Sequence, residues 1–178
     1  MNWRQYWHER ATEADPYRQV ARTGGRVPID AALMTRMNAR LVELLDLQPE
    51  DRLLDLCCGN GMVTRALAAH CAETVGVDLA PGQIARAQAG PAQPGLRFQV
   101  GDVTRLGELG LAPFDKINLH FSFQYLERPA QGRAALRGMR DLLRPGGCIL
   151  IGEVPDLARL AAFYPRRLDR WRYRLWLR

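Results

Sequence analysis

Leu53-Leu54-Asp55-Leu56-Cys57-Cys58-Gly59-Asn60-Gly61 leads directly into the helix-like stretch Met62-Val63-Thr64-Arg65-Ala66-Leu67. An apolar run that passes through an acid into a glycine turn is typical of a buried parallel strand whose carboxyl end holds a ligand against the next helix. Glycine at 59 and 61 removes the Cβ that would keep a ligand away from the backbone, and it permits a positive φ. This segment therefore predicts a nucleotide-type cofactor site.

Strand and helix signals alternate on the carboxyl side of that segment. The predicted strands are 52–56, 73–78, 96–100, 116–121 and 147–152, the helices 62–70, 81–89 and 131–143, and a short helical or irregular crossover 104–109. Crossovers of this length imply parallel pairing with right-handed connections. The predicted fold is a three-layer α/β sandwich with a Rossmann-like, doubly wound, mainly parallel sheet of five strands and no final antiparallel pair.

The length of 178 residues suits one domain with flanking segments. Residues 1–29 read as a helix followed by a loop. The main domain, 30–155, opens with a helix after a cap-like Asp30. Residues 156–178 form either a basic, aromatic helix or a truncated tail.

Composition points to an ordinary soluble protein, since 47% of residues are hydrophobic and 25% are charged. No apolar run approaches the ~18 to 20 residues that span a bilayer. The N-terminus has no secretory signal, and the four cysteines show neither C-x-x-C nor metal-ligand spacing. We expect a cytoplasmic protein with no transmembrane segment and no metal.

The net charge of +6 is concentrated at the carboxyl end, because residues 166–178 hold six arginines and one aspartate. Trp171, Tyr173 and Trp176 alternate with those arginines, a composition that can contact an anionic surface, nucleic acid or a protein. A cut-off segment explains it equally well. The rest of the chain is nearly neutral, and we do not predict nucleic-acid binding.

The glycine turn by itself fits both dinucleotides and S-adenosylmethionine. Read as G-x-G-x-x-G, residues 59–64 place Thr64 where the third glycine belongs, so the dinucleotide fingerprint is incomplete. Asp78 ends the second predicted strand and could bind ribose hydroxyls in either case. Asp102 follows the third strand and could accept a hydrogen bond from an adenine amino group.

With residues 114–121 and 142–151, these motifs form a series that resembles the class I S-adenosylmethionine-dependent methyltransferases from about residue 30 to residue 154. The Asp-Leu-Cys-Cys-Gly turn, with Cys57 where many members have glycine, is similar to that of the quinone-biosynthesis branch. The resemblance implies S-adenosylmethionine as cofactor and methyl transfer to a small-molecule acceptor by in-line displacement. The family usually adds an antiparallel strand pair beyond the point that corresponds to Arg178.

The resemblance also implies a cofactor site built from the ends of four strands. The acids Asp55, Asp78 and Asp102 would face the methionine amino group, the ribose and the adenine amino group. The other implied contacts are Cys57, Gly59 and Gly61 in the turn, Leu79 and Val103 beside the adenine, and Leu119 and His120 below the methionine portion. We interpret Cys57 and Cys58 as thiols that pack the turn, not as nucleophiles.

The sequence marks the residues that contact the methyl acceptor less specifically than those that contact the cofactor. In this family the segment before the first strand often closes over the site, although an aromatic staple on the core is an alternative. The acceptor-contact candidates are Tyr6, Trp7, Gln124 and Tyr125. Methyl transfer from a sulfonium needs mainly alignment and desolvation. The candidates for a base are His120, then Glu153, then His8, whereas His70 is expected to lie away from the site.

Two other functions remain open from the sequence. A catalytically silent binding or scaffold module would keep the fold and use the basic tail for a partner. An NAD-dependent oxidoreductase is less favoured, because the fingerprint is incomplete and such enzymes normally need more chain for a substrate domain.

Overall fold

A computed structural model describes residues 2–24, 27–154, and the individual residues 156, 158, 167, 168, 170 and 171. The helices are α1 (Trp3–Arg10), α2 (Pro16–Gln19), α3 (Ala31–Leu45), α4 (Met62–Ala68), α5 (Pro81–Ala89) and α6 (Pro129–Asp141). The strands are β1 (Thr23–Gly24), β2 (Val27–Pro28), β3 (Arg52–Leu56), β4 (Glu73–Asp78), β5 (Leu96–Val100), β6 (Phe114–His120) and β7 (Leu143–Gly152). Two 3-10 helices cover Val103–Glu108 and Phe123–Tyr125.

Strands β3 to β7 form one parallel sheet in the order β5-β4-β3-β6-β7. The order reverses at β3, because the chain runs outward to β5 and then returns to place β6 on the other side. This is the doubly wound, Rossmann-like sheet that the sequence predicts, and within the described residues it has five strands. The small antiparallel hairpin of β1 and β2 was not predicted.

Helices cover both faces of the sheet, and the central strand β3 presents leucine side chains to each face. Leu54 and Leu56 face the layer that contains α6 and residues 103–108, where Met139 and Leu106 complete the core. Leu53 points to the opposite face, against α3 and α4. All three leucines are almost completely buried, as expected for the central strand of a parallel sheet. The three-layer sandwich is confirmed.

Most predicted boundaries agree with the structure, and the largest difference is at β7. That strand begins at Leu143 and not at 147, because Phe114 N–H donates to Leu142 O (2.8 Å) and pairs the two strands early. A register shift between Phe114 and Lys116 accommodates the Arg144-Pro145-Gly146 turn. The helix predicted over 62–70 ends at Ala68.

The N-terminal segment contains more structure than the predicted helix and loop. Asn2 caps α1 and Asp15 caps α2, with Pro16 in the first turn of that helix. Asp30 caps α3 as predicted, accepting from Leu33 N at 2.6 Å. These caps are local in sequence, since each capping side chain bonds to a backbone N–H two or three residues further on.

The predicted segment 156–178, including the basic stretch 166–178, lies mostly outside the described residues, so its predicted helix is untested. Within the part of the chain that the structure describes, no helix is both long enough and apolar enough to cross a membrane.

Candidate functional site

A cavity of about 180 Å³ opens at the carboxyl ends of the parallel strands. It lies where the sheet order reverses, between β3 and β6, which is the position at which doubly wound sheets bind ligands. Its wall is formed by the turn after β3, the ends of β4 and β6, the loop after β5, and the N-terminal segment with α1.

Most residues that the sequence selected meet at this cavity. Those in its wall are Asp55, Cys57, Gly59, Asp78, Leu79, Asp102, Val103 and His120, together with Trp7 and Tyr125 from the predicted acceptor side. Four strand ends therefore converge as expected. The role of each residue in binding remains a prediction.

Four selected residues do not belong to the described wall. Leu119 is 1% exposed and lies in the core, because strand alternation turns it inward while Asn118 and His120 face the cavity. Gly61 has φ +77, and a Cβ there would meet the Phe98 ring at 2.7 Å, so this glycine allows the turn to pack on β5. The other two, Tyr6 and Gln124, stand behind wall residues.

The turn after β3 is held by backbone and carboxylate contacts. Cys57 adopts a left-handed conformation with φ +56, and Cys58 N–H donates to Val77 O at 3.0 Å. Gly59 also has φ +56, and a Cβ there would lie 2.6 Å from Val20 Cγ1. Glycine at 59 therefore lets the end of α2 approach the turn. Burial, with nearby carboxylates, raises the pKa of both thiols well above its usual range, which supports a packing role.

Asp55 is the most buried acid of the cavity, at 3% exposure. Thr64 Oγ1 donates to its Oδ2 at 2.5 Å, and Asn118 Nδ2 donates to its Oδ1 at 2.7 Å. Burial nevertheless raises the pKa of Asp55 to about 6, although both hydrogen bonds and the Arg22 cation oppose the rise. A cationic ligand group next to Asp55 would stabilise its charged form.

Asp78 and Asp102 each organise the backbone beside the cavity. Asp78 accepts from Gly59 N through Oδ2 (2.8 Å) and from Ala80 N through Oδ1 (2.9 Å), and burial raises its pKa. Asp78 therefore ties the turn after β3 to the start of α5. Asp102 caps the 3-10 helix, accepting from Thr104 N (2.8 Å) and Thr104 Oγ1 (2.7 Å) through one oxygen, Oδ1.

His120 belongs to a charged cluster that the sequence analysis missed. Arg22 Nη2 donates to His120 Nδ1 (2.9 Å), and Arg22 Nη1 donates to Glu153 Oε2 (2.7 Å). His120 Nε2 lies 3.7 Å from the same carboxylate oxygen. Arg22 is 8% exposed and stacks on the Phe121 ring, 4.7 Å from its centroid. Residues 98 and 131 positions apart meet here, and no spacing rule could have connected them.

The cluster bears on whether His120 acts as a base. Burial and the Arg22 cation lower the pKa of His120, while Glu153 opposes them, so the neutral ring is favoured. Since Nδ1 accepts from Arg22, the ring proton is assigned to Nε2, and neither nitrogen has a free lone pair. This arrangement favours a positioning role for His120 over proton abstraction.

The two other histidines lie elsewhere. His8 Nδ1 accepts from Gly82 N at 3.0 Å in the contact between α1 and α5, and His70 is exposed beyond the end of α4. His70 therefore lies away from the cavity, as expected. Among the described residues, no group of three or more His, Cys, Asp or Glu side chains is arranged to hold a metal ion.

An aromatic cluster, Trp3, Tyr6, Trp7 and Tyr125, borders the cavity. The Tyr125 ring lies 4.6 Å from the Trp3 ring and 5.5 Å from the Trp7 ring, centroid to centroid. Tyr6 packs edge-on against both tryptophans. Trp3, Trp7 and Tyr125 line the cavity, so α1 and the 3-10 helix after β6 together supply an aromatic wall.

Comparison with known proteins bears on this arrangement. The family described as "Methyltransferase domain" matches residues 53–147, which run from β3 into the first half of β7. The chain is 34% identical over 135 residues to the 23S rRNA (uracil(1939)-C(5))-methyltransferase RlmD of Bordetella pertussis, covering 74% of this chain and 27% of that protein. It is 31% identical over 125 residues to the ubiquinone biosynthesis O-methyltransferase of Ruegeria pomeroyi, covering 67% and 49%.

The chain thus spans between about a quarter and a half of the length of these curated relatives. Among solved structures, it resembles the N-methyltransferase NodS of Bradyrhizobium japonicum WM9 in complex with S-adenosyl-L-homocysteine. The TM-score is 0.68 at 24% identity, over 85% of this chain and 72% of that one. At this identity the likeness shows a shared fold.

Proposed function

Because the chain belongs to the class I S-adenosylmethionine-dependent methyltransferases, we propose that it binds S-adenosylmethionine in the cavity and transfers the methyl group to a small-molecule acceptor. S-adenosylmethionine is the cofactor of this family. The observation that carries the proposal is the convergence of Asp55, Asp78 and Asp102 on one cavity that aromatic rings also line.

The acids are spaced along the sheet edge in a way that suits the parts of the cofactor. Asp55, with Asn118 beside it, would accept from the methionine ammonium, whose charge would offset the cost of ionising a buried carboxyl. Asp78 would accept from the ribose. Asp102 keeps Oδ2 available for the adenine amino group, with Leu79 and Val103 beside the ring.

The acceptor would lie against the aromatic cluster. Trp3, Trp7 and Tyr125 offer an apolar aromatic surface of limited extent, which suits a small, largely apolar molecule. A base in RNA could reach the same wall if it lay unstacked in a single-stranded segment or were turned out of a duplex. The named relatives act on both kinds of acceptor, so acceptor class is a matter for direct test.

Methyl transfer requires little of the protein beyond placing the acceptor against the cofactor. S-adenosylmethionine supplies a methyl group that is already activated, so the new bond forms as the carbon–sulfur bond breaks. The chain's residues align the acceptor, exclude water and balance charge. His120, held by Arg22, would fix the floor of the acceptor space, and we assign no general base.

Isothermal titration of the full chain with S-adenosylhomocysteine, S-adenosylmethionine and NAD tests the cofactor assignment. Binding of both sulfur compounds and no heat with NAD is expected. The reverse result would overturn the proposal and favour an oxidoreductase.

Transfer of labelled methyl from S-adenosylmethionine then tests the acceptor class. Phenols, amines and quinone precursors form one panel, and total RNA forms the other. Labelling in the first panel supports the proposal. Labelling of RNA alone contradicts the small-molecule assignment, and cofactor binding without transfer to any acceptor would favour a silent binding module.

Three further predictions accompany this proposal. Residues 1–29 close over the site on the domain 30–155, the protein is cytoplasmic, and residues 166–178 contact an anionic surface or a protein. The first is supported by the position of Trp3 and Trp7 in the cavity wall. The other two rest on composition alone.

A further inference from the structure

Gln83, in α5, is a buried amide that uses only one side of its hydrogen-bonding capacity. Its side chain is 1% exposed and belongs to the cavity wall. Nε2 donates to Trp7 O at 3.0 Å and to Gln19 O at 2.9 Å. Oε1 has no hydrogen-bond partner among the described residues.

The orientation of this amide is determined by its neighbours. If the oxygen and nitrogen were exchanged, Oε1 would face the carbonyl oxygens of Trp7 and Gln19, and both contacts would become repulsive. Oε1 therefore points away from these two carbonyls. It lies 4.0 Å from the position that a Cβ on Gly59 would take, at the turn after β3.

The unpaired oxygen, Gln83 Oε1, can accept a hydrogen bond from a ligand. Gly59 N already donates to Asp78, so Asp78 and Gln83 Oε1 flank the same turn as acceptors. A buried acceptor without a donor is destabilising, and water or a ligand must supply one. A pair of adjacent hydroxyls, as in a ribose, can donate to two such acceptors at once.

We propose that Gln83 Oε1 accepts a hydrogen bond from a ribose hydroxyl of the bound adenosyl cofactor, next to the hydroxyl that Asp78 accepts. This inference rests on the proposed function, because it assumes an adenosyl ligand in this cavity. Gln83 is then a cofactor-binding residue that also holds the backbone of α1 and the end of α2.

One consequence is a link between cofactor binding and the acceptor wall. Trp7, whose carbonyl Gln83 holds, belongs to the aromatic cluster, and Gln19 precedes Arg22 by three residues. An amide whose oxygen accepts a hydrogen bond becomes a better donor through its nitrogen. Cofactor binding should therefore fasten the N-terminal segment more firmly at both carbonyls.

The direct test compares S-adenosylhomocysteine with its 2′-deoxy and 3′-deoxy analogues on wild type and Gln83→Met. The variant should bind S-adenosylhomocysteine about three- to tenfold more weakly, the range for one neutral hydrogen bond. The deoxy analogue that lacks the donor should lose clearly less affinity in the variant than S-adenosylhomocysteine does, because any weakening through the lost Trp7 and Gln19 contacts is common to all three ligands. Gln88→Met is the matched control on the same helix, since Gln88 is exposed and its Nε2 donates to Phe98 O.

Equal weakening of all three ligands by Gln83→Met would overturn the proposal, because it would show an effect through packing alone. Unchanged affinity for all three would overturn it too. If Gln83→Met does not fold, wild type carries the test, since both deoxy analogues should bind more weakly than S-adenosylhomocysteine, one through loss of the Asp78 contact and the other through loss of the Gln83 contact. Full affinity for either analogue would contradict the pair of contacts.

Hydrogen exchange of the full chain tests the link to the N-terminal segment. S-adenosylhomocysteine should slow amide exchange in α1 of the wild type and of Gln88→Met, and less so in Gln83→Met at equal saturation. Equal slowing in all three proteins would contradict the link. If wild type binds no S-adenosylhomocysteine, the proposed function fails, whereas binding without analogue-specific effects removes only the role of Gln83.

Discussion

Replacing Asp55 by asparagine should make the free protein more stable and weaken its hold on the cofactor. The carboxyl is buried, and Thr64 and Asn118 donate hydrogen bonds to its two oxygens. Burial still dominates and raises its pKa from 3.8 to about 6. At neutral pH, the buried charge of Asp55 therefore lowers the stability of the folded protein.

The size of the effect follows from that pKa. A rise from 3.8 to about 6 is about 2 units, which at about 1.4 kcal/mol per unit is on the order of 3 kcal/mol. Asparagine avoids this cost but offers one acceptor oxygen in place of two, and the Thr64 hydroxyl must turn to accept from its amide. The weaker hydrogen bonding offsets about 1 kcal/mol of that gain in stability. The net gain of about 2 kcal/mol corresponds to a rise in Tm of roughly 4 to 8 °C at this length.

The gain should depend on pH with a definite sign. Because the folded pKa of Asp55 lies above the unfolded value, its contribution to stability is fully present below about pH 3.8 and is lost as pH rises through about 6. Asp55→Asn should therefore be more stable than wild type at pH 7.5, and this advantage should shrink or vanish at pH 4.5. Urea unfolding at the two pH values measures the difference.

A matched control is Asp46→Asn, which removes the same charge at an exposed position at the end of α3. Its left-handed backbone tolerates asparagine, so little change is expected at either pH. Isothermal titration at pH 7.5 should show S-adenosylhomocysteine bound at least about tenfold more weakly by Asp55→Asn, the loss typical of a charged hydrogen bond. If Asp55→Asn is less stable than wild type at pH 7.5, or if its advantage is equal at both pH values, the reasoning is refuted.

Three other outcomes test the surroundings of the cavity. Asp78→Asn should weaken S-adenosylhomocysteine binding about tenfold by titration calorimetry, because its amide nitrogen must face a backbone N–H that now donates to a carboxylate. Arg22→Met should raise the pKa of His120, followed by NMR of the ring protons, since it removes the neighbouring cation; an unchanged pKa would contradict the cluster. Cys57 and Cys58 should react slowly with a disulfide reagent at pH 7.5 in the native protein and rapidly in urea, as mapped by mass spectrometry, because burial raises both thiol pKa values; fast native labelling would contradict this.

The sheet was predictable because its signals are local. Apolar runs such as 52–56 and 73–78 are bounded by turn residues, and each occupies the predicted positions. Parallel pairing followed from crossover length, and it placed Asp55 and Asp78 at one edge. The convergence of these acids on a cavity is therefore a consequence of strand ends, which sequence can locate without knowledge of side-chain contacts.

Prediction from sequence was weaker where the role of a residue depends on which residues contact it in the fold. The pattern selected Gly61 for ligand approach, but its neighbour is Phe98 on β5. Leu119 was included with His120, although alternate residues of a strand face opposite sides. Arg22 and Gln83 carry no motif at all, because their partners are backbone carbonyls or side chains distant in sequence.

The cavity has two parts: one lined by the acids at the strand ends, including Asp78, and one lined by the aromatic cluster. The first part depends on particular side chains at fixed strand ends. The aromatic part depends on α1, which α5 holds through Gln83 to Trp7 O, Arg86 Nε to Ala11 O (2.8 Å) and Gly82 N to His8 Nδ1. Two of these three contacts accept through backbone oxygens, so most side chains of α1 can change without loss of its anchor. A fold anchored in this way could keep the proposed cofactor part and alter the proposed acceptor wall, which would explain why motifs identify the cofactor and leave the acceptor to experiment.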